Sequence, residues 1–221
     1  MITSPRETFA AVIADPRWLG AALLTTVVAV AATAGFLVTD VGRLAVLDQQ
    51  VGQTESLGIA VTDQIYTRLE GMQRYMPYLA GGGILVGWPL GWLVLSGILV
   101  AVFNGALGGE ATFRQVFAVV VHSSVVRALQ AAFVAPLNYE RESTGGATSL
   151  GVLFPMLGEG SFPARLLGGI DLFTVWWIVV LSMGLSVLYQ KRTGSIAVWF
   201  LSLYALGAVA VAAIQTIRGG V

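Results

Sequence analysis

Five apolar runs of roughly twenty residues constrain this chain more than any other feature: Leu19–Val38, Tyr78–Phe103, Val116–Leu137, Leu172–Tyr189 and Ile196–Ile214. A helix rising about 1.5 Å per residue needs about 20 residues to cross a hydrocarbon core about 30 Å thick. Hydrocarbon offers no hydrogen bonds to the backbone, so each crossing segment must satisfy its own N–H and C=O groups as a helix. Four of the runs carry no charge, and the third carries Arg127. Only 11% of the 221 residues are charged against 56% apolar, far below the share of about 25% typical of soluble domains. The expected fold is all-α: a polytopic membrane helical bundle with five transmembrane helices, forming one domain over residues 1–221.

An odd number of spans puts the termini on opposite sides. Lys191 and Arg192 sit in the tightest turn, Gln190 to Ser195, and short basic loops stay cytoplasmic. That favours an N-terminus inside and a C-terminus outside. Reading the first run as a cleaved signal, with Ala32-Thr33-Ala34 as the cleavage site, fits poorly. Arg6, Glu7, Asp15 and Arg17 cancel ahead of it, and the run is long enough to span. Eleven of the twelve basic residues are arginine, which suggests a bacterial source and hence a bacterial cytoplasmic membrane.

Formal net charge is zero, so no nucleic-acid partner is expected. Without cysteine and with a single histidine, His122, neither metal nor cofactor is expected. There is no phosphate loop, zinc helix, nucleophile elbow or intramembrane acid pair. The expected partners are the lipid bilayer and a protein partner or second copy of the chain.

Two long loops punctuate the spans. In Thr39–Pro77, Val61, Ile65, Leu69, Met72 and Met76 recur at helical spacing while Asp63, Arg68, Glu70 and Arg74 lie off that stripe. The segment reads as an amphipathic helix at the membrane surface or on the bundle, or as a helical hairpin that only joins spans. Pro136–Asp171 is rich in Gly, Ser and Pro and reads as irregular, with Leu150–Leu157 as a short re-entrant or interfacial piece. Asp171, just before the fourth span, suits an N-cap. Gly81-Gly82-Gly83 and Gly87-Trp88-Pro89-Leu90-Gly91 read as packing positions or a hinge. Trp176, Trp177 and Trp199 read as interfacial anchors.

The third span holds the one intramembrane polar candidate. At about 100° per residue, with His122 as zero, Gln115 falls near 20°, Gln130 near 80°, Ser123 near 100° and Arg127 near 140°, all on one side of the helix. Arg127 lies about 16 Å along the axis from Val116, deep enough that it should face the protein interior or a cavity. It either locks the bundle by bonding backbone carbonyls or a carboxylate from Glu110, Glu159 or Asp171, or it lines a polar path for an anion, a proton or a lipid headgroup. Catalysis is disfavoured: His122, Ser123 and Ser124 are neighbours that point about 100° apart, with no orienting carboxylate at a useful spacing.

Three places resemble the Yip domain family of five-span membrane proteins that interact with Ypt/Rab small GTPases, in particular its bacterial members. They are Pro5 and Phe9 followed by Asp15-Pro16-Arg17-Trp18, the stretch Gly108-Gly109-Glu110-Ala111-Thr112-Phe113-Arg114-Gln115-Val116-Phe117, and Gly169-Ile170-Asp171-Leu172-Phe173-Thr174-Val175-Trp176. The resemblance implies a five-helix domain with a cytosolic N-terminus and, for the eukaryotic relatives, roles in trafficking through GTPase and partner binding. With only a short segment ahead of the first span, where those relatives carry a long polar region, GTPase binding is not expected of this chain. The expected function is therefore a non-enzymatic membrane-organising or partner-binding scaffold. The competing expectation is a small transporter, channel or lipid scramblase using the polar face of the third span.

Overall fold

The computed structural model describes residues 5–56, 58–158 and 161–218; Glu159 lies outside them. These residues form ten α-helices and no named strand. Five helical segments are long and apolar enough to cross a membrane: 19–37, 63–106, 113–140, 172–189 and 193–217. They form a helical integral membrane bundle.

Before the first span lies a helix the apolar pattern does not announce, α1 (Pro5–Ala14). It packs across the ends of the third and fourth spans and drives Phe9, fully buried, between them. Gly184 makes the seat. A Cβ there would stand 2.5 Å from Val119 Cγ1 and 2.9 Å from Phe9 Cε1, so no larger residue fits without displacement. Span α2 (Leu19–Leu37) follows.

The first long loop is a helical hairpin. Its first arm, α3 (Asp40–Ser56), is polar and lacks a clear apolar period; the second, α4 (Asp63–Met72), carries the expected stripe. Thr62 caps α4 through its side chain, and a 3₁₀ turn then joins α4 to span α5 (Met76–Val100), so one helical path runs through residues 63–106. Gln73, buried at this joint, donates to Gln50 Oε1 of α3 at 2.9 Å.

α5 runs through Pro89 unbroken and ends in a π-helical turn, Ala101–Ala106. Of its glycines only Gly81 approaches a neighbouring helix, with its would-be Cβ 3.5 Å from Val30, while Gly82, Gly83, Gly87 and Gly91 face open space. Those four are therefore not close-packing positions.

The expected unbroken third span is two helices, α6 (Phe113–Ser123) and α7 (Val125–Glu140), abutting at Ser124. The cause is local. Ser123 and Ser124 turn their hydroxyls back onto the Val119 and Val120 carbonyls at 2.8 and 2.9 Å, a pattern that bends helices. Arg127 N–H then bonds to Ser124 O three residues back rather than four. Pro136 lies inside α7, so the loop begins after Glu140 rather than at Pro136.

The second long loop holds the 3₁₀ turn Leu150–Leu153, the short helix α8 (Phe162–Gly168) and an isolated antiparallel bridge between Ser149 and Asp171. Val152, Leu153, Phe154 and Met156 are exposed around that turn. Spans α9 (Leu172–Tyr189) and α10 (Thr193–Arg218) close the chain.

Packing is uneven. α6, α9 and α1 meet around Phe9, Val116, Val119, Val120 and Leu185. In the most apolar window of the third span 56% of residues are buried within the protein, against 39% in the fourth and 11% in the last. The third span is the enclosed one, and it carries Arg127.

Candidate functional site

α7 and α9 bring Arg127, Gln130, Thr174 and Asp171 together. Asp171 is the N-cap of α9: its Oδ1 accepts from Thr174 N–H at 2.8 Å, satisfying a donor left free in the helix's first turn. The same oxygen accepts from Thr174 Oγ1 at 3.2 Å and Gln130 Nε2 at 3.0 Å, and Oδ2 accepts from Thr148 Oγ1. Backbone bonds from Leu150 N–H to Ile170 O and from Leu172 N–H to Thr148 O hold the loop against this corner. From the far side, Tyr204 of α10 accepts from Asp171 N–H at 2.9 Å and donates to Gly169 O at 3.0 Å.

Arg127 reaches the carboxylate only through intermediaries. Its Nη1 donates to Gln130 Oε1 and to Thr174 Oγ1, both at 3.0 Å, and both of those residues bond Asp171. The guanidinium lies 5.1 Å from the centroid of the Trp177 ring, a cation–π contact. Trp177 thus faces the protein interior, because its side of α9 turns toward α7. Trp176 and Trp199 stay exposed.

A partly open cavity of about 610 Å³ adjoins this group. Gly87, Trp88, Gly91 and Trp92 of α5 line one side, Arg127 and Gln130 of α7 the second, and Asp171 and Trp177 of α9 the third, with Thr144, Gly146, Ala147 and Thr148 of the loop completing the lining. It exists because α5 packs chiefly on α2 and α6 while α7 packs on α2 and α9, so α5 and α9 stand apart as two walls.

The other residues of the sequence candidate lie elsewhere. Gln115 closes a capping box with Thr112 at the start of α6 and donates to Ile13 O at 3.4 Å, tying down α1. His122 Nδ1 bonds Ala118 O at 2.8 Å and Ser123 bonds Val119 O, each within its own helix. The helical-wheel alignment of these residues with Arg127 assumed one continuous helix, and the break at Ser124 resets the register. Sequence reading placed Asp171 as a cap but missed Thr148, Thr174 and Trp177. The spacing Asp171, Thr174, Trp177 at i, i+3, i+6 was the available signal.

The turn after α5 is a second ordered point. Gly108 has φ +69°, and Gly109 N–H bonds Phe103 O at 2.9 Å. Asn104 Nδ2 donates to Ala111 O at 2.8 Å and its Oδ1 accepts from Tyr189 OH at 3.0 Å, with the Phe103 and Tyr189 rings stacked at 4.7 Å. Glu110, the other expected partner of Arg127, sits in this turn, beyond the start of α6 and away from Arg127 on α7.

These features define a five-span helical membrane protein with an N-terminal helix wedged into one end and a polar knot between its third and fourth spans. The chain belongs to the Yip1 domain family, whose model matches residues 1–214. Comparison with curated proteins found no match, and comparison with solved structures found none.

Proposed function

We propose that this protein is a non-enzymatic scaffold that organises its membrane or holds a partner there, as an integral component of a bacterial cytoplasmic membrane with its N-terminus in the cytoplasm. One observation carries this reading. Most polar groups of the third and fourth spans bond within the bundle: Asp171 caps α9 and ties Gln130 and Thr148 to it, Ser123 and Ser124 bond their own helix, and His122 bonds Ala118. Such a centre fixes a bundle in one arrangement, as a platform for partners requires. The polar α3–α4 hairpin, braced on α7 and bonded through Gln49 to Thr144, supplies surface beyond the lipid for them.

Affinity purification from native membranes, with and without in-cell cross-linking, tests the proposal. The expected result is a reproducible protein partner or a homo-oligomer. Recovery of the chain alone under both conditions would refute it.

A further inference from the structure

The hydrogen bonding around Arg127 leaves it half used. An arginine side chain carries five N–H donors in a planar fork. The two on Nη1 serve Gln130 and Thr174. Those on Nη2 and Nε have no acceptor among the described residues, and the side chain lines the cavity. Beside it, the indole N–H of Trp177 is buried without an acceptor.

Neutralising Asp171 does not account for this arrangement. The strongest pairing of guanidinium with carboxylate is bidentate, two parallel N–H···O bonds. Here two neutral side chains stand between the charges, and the carboxylate takes its donors from Gln130, Thr174 and Thr148. Asp171 also lines the cavity, but both its oxygens are already taken by these donors, while the free edge of the Arg127 fork is left for something else. An unpaired cationic fork at membrane depth is costly, and a bound anion is what removes that cost.

The cavity identifies the anion's class. Its α5 wall is apolar, with Trp88, Trp92 and Leu95, and Gly87 and Gly91 present no side chain to it. A ligand must therefore offer acceptor oxygens at one end and tolerate hydrocarbon and aromatic walls at the other. One guanidinium, its charge partly offset by Asp171 nearby, suits a monoanion better than a dianion. A phosphodiester meets both conditions, and lipid is the medium around these helices.

We propose that the cavity between α5, α7 and α9 binds the phosphodiester headgroup of a phospholipid, with the free edge of the Arg127 guanidinium as the donor. The assignment goes beyond the scaffold reading: that reading is judged by partner recovery and this one by ligand response, so either can fail alone.

The test uses the full chain purified in a neutral maltoside detergent, with thermal unfolding followed during titration. The probes are short-chain phosphatidylglycerol, the matching diacylglycerol without phosphate, and inorganic phosphate. Saturable stabilisation by phosphatidylglycerol alone is expected. Arg127→Lys keeps the charge but loses the fork and should weaken the response about tenfold. Gly91→Leu is the second variant: Gly91 lines the cavity and no atom lies within 4 Å of the Cβ it adds, so the larger side chain has room to enter the space the ligand would take. It should unfold at the parent temperature without ligand and lose the response. Absence of a saturable shift in the parent would overturn the proposal, as would an equal shift in Gly91→Leu. A response to inorganic phosphate matching that to the lipid would overturn the lipid assignment.

Discussion

Asp171→Ala is the substitution that most directly probes the polar knot. Four hydrogen bonds end with the carboxylate, of which the longest, from Thr174 Oγ1 at 3.2 Å, costs little to lose because that hydroxyl keeps its bond from Arg127. The N-cap bond to Thr174 N–H is worth about 1 kcal/mol, within about 0.5–2 for caps in general. The bonds from Gln130 Nε2 and Thr148 Oγ1 add about 0.6 kcal/mol each on the membrane scale, or about 1 each on the soluble one. The sum is about 2–3 kcal/mol before Arg127 is considered. Arg127 loses its compensating charge, and because it faces a cavity rather than dry protein the added cost is well below the about 3–5 kcal/mol of breaking a buried pair. A total near 3 kcal/mol lowers the unfolding temperature by about 6–12 °C at about 2–4 °C per kcal/mol for a chain of this size.

Asp171→Asn separates charge from geometry. Its amide oxygen still accepts from Thr174 and Gln130, and the Thr148 hydroxyl can turn to accept from the new amino group. The loss should be only about 1 kcal/mol. Thermal unfolding in one detergent, with helicity followed by circular dichroism, measures both variants. The double variant Asp171→Ala with Gln130→Leu should be less destabilised than the sum of its parts, by about 0.5 kcal/mol or more, because the two residues share a bond. An Asp171→Ala protein that unfolds within a degree of the parent would sink the assignment of Asp171 as the tie between α7, α9 and the loop. Equal losses in the Ala and Asn variants would show that charge alone matters.

Two further outcomes follow from packing. Phe9→Ala empties the Gly184 seat and should cost about 3–5 kcal/mol, with α1 becoming the first site of limited proteolysis; an N-terminus as resistant as the parent's would contradict the wedge. Gly109→Ala would place a Cβ 2.6 Å from the Tyr189 ring and 3.0 Å from Phe103 O, so a loss of about 1–3 kcal/mol is expected, whereas Gly87→Ala meets nothing and should be near neutral in the same unfolding assay.

The five spans were legible because their signal is composition over a window, which survives local irregularity. Their ends moved by a few residues, and α5 gained a helical lead-in from residue 63. α1 was not legible, and α3 only as an arm of the hairpin alternative, for a different reason. Phe9 alone carries the burial of α1, and α3 buries its side chains against α2 and α7 without a sustained apolar period. The polar face was half legible. Position along the span singled out Arg127 as a residue to be explained, but angles taken across Ser123-Ser124 put Gln115, His122 and Ser123 beside it. Two hydroxyl groups bonding backward undid that geometry, an effect that hydrophobic periodicity does not register.

The stretches that carry the family likeness include the joints of the fold. Gly109 meets Tyr189 in the turn before α6, Asp171 and Thr174 form the cap of α9, and Phe9 fills the seat at Gly184. Each joint fixes one helix against another where a substituted side chain would have to displace a neighbour or leave a donor unpaired. Lipid-facing positions of α10, such as Val198, Leu203 and Leu206, carry no such demand, since one apolar side chain serves there as well as another. A chain can therefore keep this fold with few recognisable residues, provided those residues sit at the joints. It follows that exchanging Val198, Leu203 and Leu206 together for other aliphatic residues should leave the unfolding temperature within about a degree, whereas one methyl group at Gly109 or Gly184 should not.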